Sequence, residues 1–324
     1  MDWQRRCIQV CAGAILLAAA IRLLPEQVPE FVMGEDAASF LVYLQTGRVV
    51  RLPPEPETTE PTEAAQPTET LPDPSVPVFL EEFLALVPVK YTTSYRPDLE
   101  ALLERPLDFN LGGEGPQVLI LHTHGTESYT PSPGYEYEAS ASYRTLDERC
   151  NMLAIGDAVA QVLEDAGVEV IHDRALHDYP SYNNAYPNAA AATAAYLKEY
   201  PSIRLVLDLH RDAADTATGQ LVTECSVEGT PSAQLMLVMG TGSGGLSHPD
   251  WEKNLSLALK LHVVLEQENP GICRDLSLRY SRYNQHLSTG ALLVEVGATG
   301  NTMDEALSAA RALARGILTL FAIA

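Results

Sequence analysis

The stretch Val118 to Tyr129, VLILHTHGTESY, opens with four apolar residues and breaks off into two histidines one residue apart, a glycine and a carboxylate. An apolar run of that length with no Lys or Glu reads as a buried strand of a parallel sheet. Its polar end then projects from the carboxyl edge, where open α/β sheets collect their ligands. Alternation along a strand places His122 and His124 on one face and Thr123 on the other. Two imidazoles on one face can share a metal, whereas an isolated H-x-H pair serves equally well to satisfy a backbone carbonyl.

Outward from that run, strand and helix patterns alternate. Met152, Ile155, Val159 and Val162 recur at helical spacing within 147–165, and Gly167 follows as a C-terminal cap would. VEVIH at 168–172, IRLVLDLH at 203–210, AQLMLVMG at 233–240 and ALLVEVG at 291–297 read as strands, and 187–200, 251–268 and 303–321 as helices. Strands separated by helices of this length predict an α/β domain, its sheet largely parallel and covered by helices on both faces. There is no internal repeat.

That domain is expected over 110–324, where LGGEGPQ turns the chain into the first strand. VFLEEFLALV and DLEALLERP suggest a helical lead-in over 79–109. Residues 52–78 are rich in Pro, Glu and Thr and hold no Lys or Arg, the composition of an extended, disordered spacer. A short juxtamembrane segment, 25–51, precedes it. Over 1–24, Arg5 and Arg6 lead into CIQVCAGAILLAAAI, read as a single-pass membrane anchor with a cleaved signal peptide as the alternative. Either way the rest of the chain is expected outside the cytoplasm.

The net charge of -22 argues against nucleic acid as a partner, because such binding draws on Lys and Arg. The five cysteines, at 7, 11, 150, 225 and 273, form no C-x-x-C pair and no disulfide framework, so the last three are expected as packed or free thiols.

On this frame the polar residues converge. His210 ends the third strand as His124 ends the first, Glu295 lies near the end of the fifth, and Asp147 opens the first helix. Two histidines and a carboxylate make an open Zn2+ site, and a second carboxylate can carry a proton. Glu295 has the better claim to that second role, since an acid in an apolar strand is costly unless used or paired, here with Arg211 for instance. Tyr182, Asn183 and Tyr186 in HDYPSYNNAY suit a glycan or peptide, or simply a turn around Pro180. Arg211, Asn284 and Gln285 are further candidate substrate contacts. His248 and His262 look like ordinary surface or helix residues.

HTHGTESY at 122–129, IHDRALHDYPSYNNAY at 171–186, LDLHRDA at 207–213 and RYNQHLSTGALLVEVGATGNT at 282–302, together with the anchor and acidic linker, resemble the stage II sporulation protein P family. The likeness runs from about Gly115 to the C-terminus. More distantly, the strand ends resemble zinc-dependent N-acetylmuramoyl-L-alanine amidases, whose pattern falls here on His124, Asp147, His210 and Glu295. Where that pattern has one histidine this chain has two, which leaves His122 as the alternative to His124. Where it has Glu the chain has Asp147, and Glu127 and Glu148 are the alternatives. The resemblance implies a zinc-dependent peptidoglycan amidase at the sporulation septum, acting in septal wall thinning and engulfment, with an associated endopeptidase activity on peptide cross-links. It also implies a partner, the transglycosylase stage II sporulation protein D. A zinc peptidase acting on stem peptides and a non-catalytic wall-binding scaffold are the rival readings.

Overall fold

In the computed structural model, which describes residues 81–323 apart from 141, 217 and 218, the apolar run of the first stretch is a strand buried at all four positions. The expected anchor, juxtamembrane segment and linker lie outside the described residues. In chain order the strands are β1 (Val89–Tyr91), β2 (Val118–Leu121), β3 (Val170–His172), β4 (Leu205–Asp212), β5 (Asp215–Thr216), β6 (Gly219–Gln220), β7 (Glu224–Val227), β8 (Thr230–Ala233), β9 (Leu235–Gly240), β10 (Leu276–Arg279) and β11 (Ala291–Ala298). The α-helices are α1 (Leu99–Glu104), α2 (Met152–Asp165), α3 (Ala185–Glu199), α4 (Trp251–Glu268) and α5 (Met303–Leu320). Among them, no helix is long and apolar enough to cross a membrane.

Seven strands form one sheet in the order β1-β10-β9-β11-β4-β2-β3. Every neighbouring pair is parallel except β9 and β11, which run antiparallel. The largely parallel α/β sheet of the expectation is present, built as two parallel halves that meet at the one antiparallel pair. The carboxyl ends of β2, β4 and β11 share one edge, and β9 ends at the opposite one. The segment expected as a helical lead-in also departs from its reading. It supplies a 3-10 turn at Glu81–Leu86, the edge strand β1, paired with β10, and only a short helix, α1.

Alternation decides the two faces. Val118, Ile120, Leu205, Leu207, Leu209, Leu292, Val294 and Val296 enter the main core beneath α2, α4 and α5. Leu119, Leu121, Val206 and Ala291 face the other way and are covered by α3 through Ala189, Tyr196 and Leu197. Burying each large aliphatic side chain contributes about 1.5–3 kcal/mol, so a sheet buried on both sides is a firm platform for whatever its edge carries. The helix expected to open at Asp147 is α2, and it begins at Met152, because Asn151 accepts from the Leu153 amide and caps it there. Cys150, Cys225 and Cys273 are free thiols, as expected.

Candidate active site

The site grows from the register of two neighbouring parallel strands. Glu295 on β11 lies opposite His210 on β4, and two residues back on β4, on the same face, stands Asp208. This face is the α3 side of the sheet. The residue Glu295 is half-buried, but its Oε2 is fully enclosed and has no hydrogen-bond partner. Burial therefore pushes its pKa up to about 7, against the pull of His210 and with help from Glu127. His210 Nε2 lies 3.0 Å from Asp208 Oδ1 but outside hydrogen-bonding direction, so that contact is electrostatic. Its Nδ1 is 3.7 Å from Glu127 Oε2. Burial lowers the His210 pKa, yet Asp208, Glu127 and Glu295 outweigh it and raise it to about 10. Three carboxylates thus surround one imidazole, and the nest favours a cation, either the proton on the imidazole or a metal ion that displaces it.

The loop after β2 completes the site, and here the expected geometry fails. The strand stops at Leu121, so the alternation that would put both histidines on one face stops with it. His122 turns into the core side, where its Nδ1 meets the Leu209 carbonyl at 3.1 Å and its Nε2 meets His172 Nε2 at 2.9 Å. A tight turn swings His124 to the other side. Its ring stacks on Tyr182 at 4.6 Å between centroids and lies edge-on to His210 at 5.4 Å. Its Nδ1 is buried and unpartnered, 3.9 Å from Asp178. Burial, with the nearby His210 and Arg144, lowers the His124 pKa to about 3, which keeps the imidazole neutral as a metal ligand must be.

Glu127 is fixed from several directions. Arg144 Nη2 donates to it at 3.2 Å and the Arg211 amide approaches its Oε2 at 3.4 Å. The loop itself is tied down by Tyr129, whose hydroxyl donates to the Val296 carbonyl at 2.7 Å. Arg144 also donates to Asp178 at 2.6 Å and lies over the Tyr182 ring.

Of the residues singled out from the sequence, the structure brings together His124, His210, Glu295 and the alternative Glu127, with Tyr182 alongside. Asp147 is engaged elsewhere: Arg149 grips it at 2.7 Å and 3.1 Å, and none of its contacts reaches the histidines. Glu148 pairs with Arg174. Arg211 spends its guanidinium on the carbonyls of Ser128, Ser142 and Tyr143, which makes it a tie for the loop and not an open substrate contact. Gln285 is buried and committed to the backbone of β9, accepting from Gly240 and donating to Val238. Asn284 sits at φ 61 and donates to the Tyr186 carbonyl, while Asn183 is exposed in the 3-10 turn Tyr182–Asn184. The reading missed Asp208, although LVLDLH carries the same signal that marked Glu295, an acid inside an apolar strand. Arg144 and its pairing with Asp178 had no signal in the sequence, since only the folded loop brings them together.

Two cavities flank His124. One of about 670 Å³ is lined by Thr126, Arg144, Asp178 and Tyr182, the other, of about 310 Å³, by Tyr186, Tyr280, Tyr283 and Asn284. Tyr186 itself meets the His124 ring edge-on at 5.6 Å.

A family model, Stage II sporulation protein P, matches residues 54–318. The chain belongs to that family. The stage II sporulation protein P of Bacillus subtilis (strain 168) is 27% identical over 213 residues, 62% of this chain and 50% of that protein, so the chain spans about half the length of the curated relative it matches. Among solved structures, the amidase AmiC2 of Nostoc punctiforme is similar at 16% identity and TM-score 0.39, covering 64% of this chain and 98% of that one. Ami1 of Mycobacterium smegmatis is similar at 14% identity and TM-score 0.42, covering 66% and 99%. Likenesses of this order carry nothing about the site.

His124 Nδ1 and Glu295 Oε2 are buried polar atoms with no hydrogen-bond partner, and Glu127 sets a carboxylate beside His210 Nδ1, the ring nitrogen that Asp208 does not face. Two imidazoles and a carboxylate are the donor types of an open zinc site, and the surrounding acids favour a cation. The donors fit, though more openly spaced than in a closed site. Among the described residues, ligand atoms of three His, Cys, Asp or Glu side chains gather within 4.8 Å of one another only elsewhere, at His262, Glu266 and Cys273.

Proposed function

We propose that this chain is a sporulation peptidoglycan hydrolase that cleaves the amide between the lactyl group of muramic acid and L-alanine. His124, His210 and Glu127 would hold a zinc ion, with Glu127 in the place expected for Asp147. The observation that carries the reading is the pairing of Glu295, whose Oε2 is buried and unpartnered, with His210 across two parallel strands, beside the equally unpartnered His124. Membership of the family supports it.

Zinc in that position would supply Lewis-acid polarisation of the scissile carbonyl and a water of lowered pKa. The chain's own groups do the rest. The buried Oε2 of Glu295 takes the proton of the attacking water and returns it to the leaving amine. Asp208 holds His210 from behind, itself fixed by the Thr123 amide at 2.8 Å and the Thr123 hydroxyl at 2.6 Å. Tyr182 covers His124 and limits water, and the cavities on either side of His124 receive the two flanks of the cleaved bond. Anchoring outside the cytoplasm at the septum, work beside stage II sporulation protein D and any endopeptidase action belong to the same proposal.

Digestion of purified peptidoglycan by the full chain, followed by mass analysis, tests it. New L-alanine amino termini are expected from the unaltered protein and are lost in His210→Ala. Cleavage confined to bonds within the stem peptide would instead make the chain a peptidase, and no cleavage at all would favour the scaffold.

A further inference from the structure

His262 and Glu266 stand four residues apart near the end of α4, a spacing that stacks both side chains on one helix face. The chain then folds back, and the amide of Cys273 donates to Glu266 Oε1 at 2.7 Å while that of Gly271 donates to Oε2 at 2.9 Å. The imidazole, carboxylate and thiol ligand atoms all lie within 4.8 Å of one another. His262 is only 1% exposed, yet neither ring nitrogen has a hydrogen-bond partner. The carbonyl of Leu86 approaches the ring without reaching hydrogen-bonding geometry. A buried polar atom left unpaired costs about 1–3 kcal/mol, and a packed core position for so costly a side chain calls for a partner.

We propose that His262, Glu266 and Cys273 form a second metal site, for a thiophilic divalent ion of the Zn2+ class, separate from the candidate active site and independent of the function proposed for it. Nitrogen, sulfur and carboxylate oxygen are the three ligand types zinc takes. Each Glu266 oxygen has one amide bond and keeps a lone pair free, and those amides orient the carboxylate as outer hydrogen bonds orient metal-ligating groups. Glu266 and Cys273 are half-buried, so an ion can enter from solvent, with water as the fourth ligand. Tetrahedral zinc sets its ligands roughly 3.5 Å apart, so binding shortens their separations by no more than about 1.3 Å. The Cys273 thiol loses its proton to solvent as the S–metal bond forms, with no change of oxidation state.

The site would brace the edge that carries the chemistry. Cys273 pairs with Leu235 at the start of β9, and Leu235 lies opposite Val296, the neighbour of Glu295. The next residue, Arg274, holds Asp212 at 2.7 Å, two positions beyond His210. An ion here would lock the Gly271–Arg274 loop against both strands without touching substrate.

Titration of the reduced full chain with Co2+ tests this directly, because a thiolate ligand gives a sulfur-to-cobalt charge-transfer band and the candidate active site offers no cysteine. The expected result in His210→Ala, where the candidate active site has lost a ligand, is such a band saturating at one ion per chain, displaced by Zn2+. It disappears in Cys273→Ser and weakens at least tenfold in affinity in Glu266→Gln, which keeps the loop's shape. Addition of Zn2+ raises the Tm of His210→Ala, and Cys273→Ser in that background removes the rise. Absence of the band, or its persistence in Cys273→Ser, overturns the site.

Discussion

In the proposed mechanism Glu295 carries the proton on its one enclosed oxygen. Replacing it with Gln keeps the size and removes the proton-carrying function, so kcat should fall by about 10²–10⁴ while KM and Tm stay close to those of the unaltered chain. Steady-state release of L-alanine termini measures this, and a variant within tenfold of normal would remove Glu295 from the mechanism. Glu127 and Asp147 make opposite predictions. Glu127→Gln breaks the contact beside His210 and should lower bound zinc and activity at least tenfold, whereas Asp147→Asn loosens only a half-exposed pair with Arg149 and should leave both within about twofold. Elemental analysis of the two purified variants separates the assignments. At this scale the sequence showed Glu295 because an acid in LLVEV is too costly to bury idle, and the same logic applied to LVLDL would have shown Asp208. It could not choose between His122 and His124, because that choice depends on where β2 stops, and a turn after four strand residues leaves no mark in the alternation.

The element that lies over the His122–His172 pair is α2, at Gly156. A Cβ built there would fall 2.3 Å from His172 Nε2 and 2.6 Å from His122 Nε2, so the helix can lie over the histidine pair only because this residue has no side chain. Gly156→Ala gains helix propensity of about 1 kcal/mol and meets a clash that costs about 1–3 kcal/mol or more, and the clash should win. Chemical denaturation should show a net loss of stability, partly recovered when His172→Ala is added to make room. A second element-level test lies at the start of α5, where Thr302 and Glu305 form a reciprocal cap. Thr302→Ala should cost about 1 kcal/mol. Helix positions, such as α4 and α5, could be read almost to the residue from periodicity and caps. Strand direction could not, because an apolar run such as LMLVMG reads the same in a parallel and an antiparallel neighbour, and β1 and β10, at VKY and LSLR, hold too few apolar residues to stand out.

For the whole molecule, acid acts on two opposing terms. The net charge of -22 means that lowering the pH relieves self-repulsion, which favours the compact state. Buried neutral histidines work the other way. Burial, reinforced by the neighbouring Arg174 cation, lowers the His172 pKa from 6.5 to about 4, with Asp173 opposing. Asp157 contacts its Nδ1 at 3.0 Å, but the same carboxylate oxygen is already held by Arg174, and the third neighbour, His122, is itself neutral. The unfolded chain therefore binds the proton more tightly than the folded one between about pH 4 and 6.5. The contribution is complete above 6.5 and is lost as the pH falls toward 4. Since general charge effects shift with pH as well, the informative quantity is the difference between the unaltered chain and His172→Gln, which preserves a polar contact and cannot titrate. On going from pH 7.5 to 5, denaturant unfolding should show the unaltered chain losing on the order of 1–2 kcal/mol relative to the variant. A difference that stays constant across that window would mean that the ring accepts its proton inside the fold, and that the packing of α2 over the histidine pair is looser than these distances require.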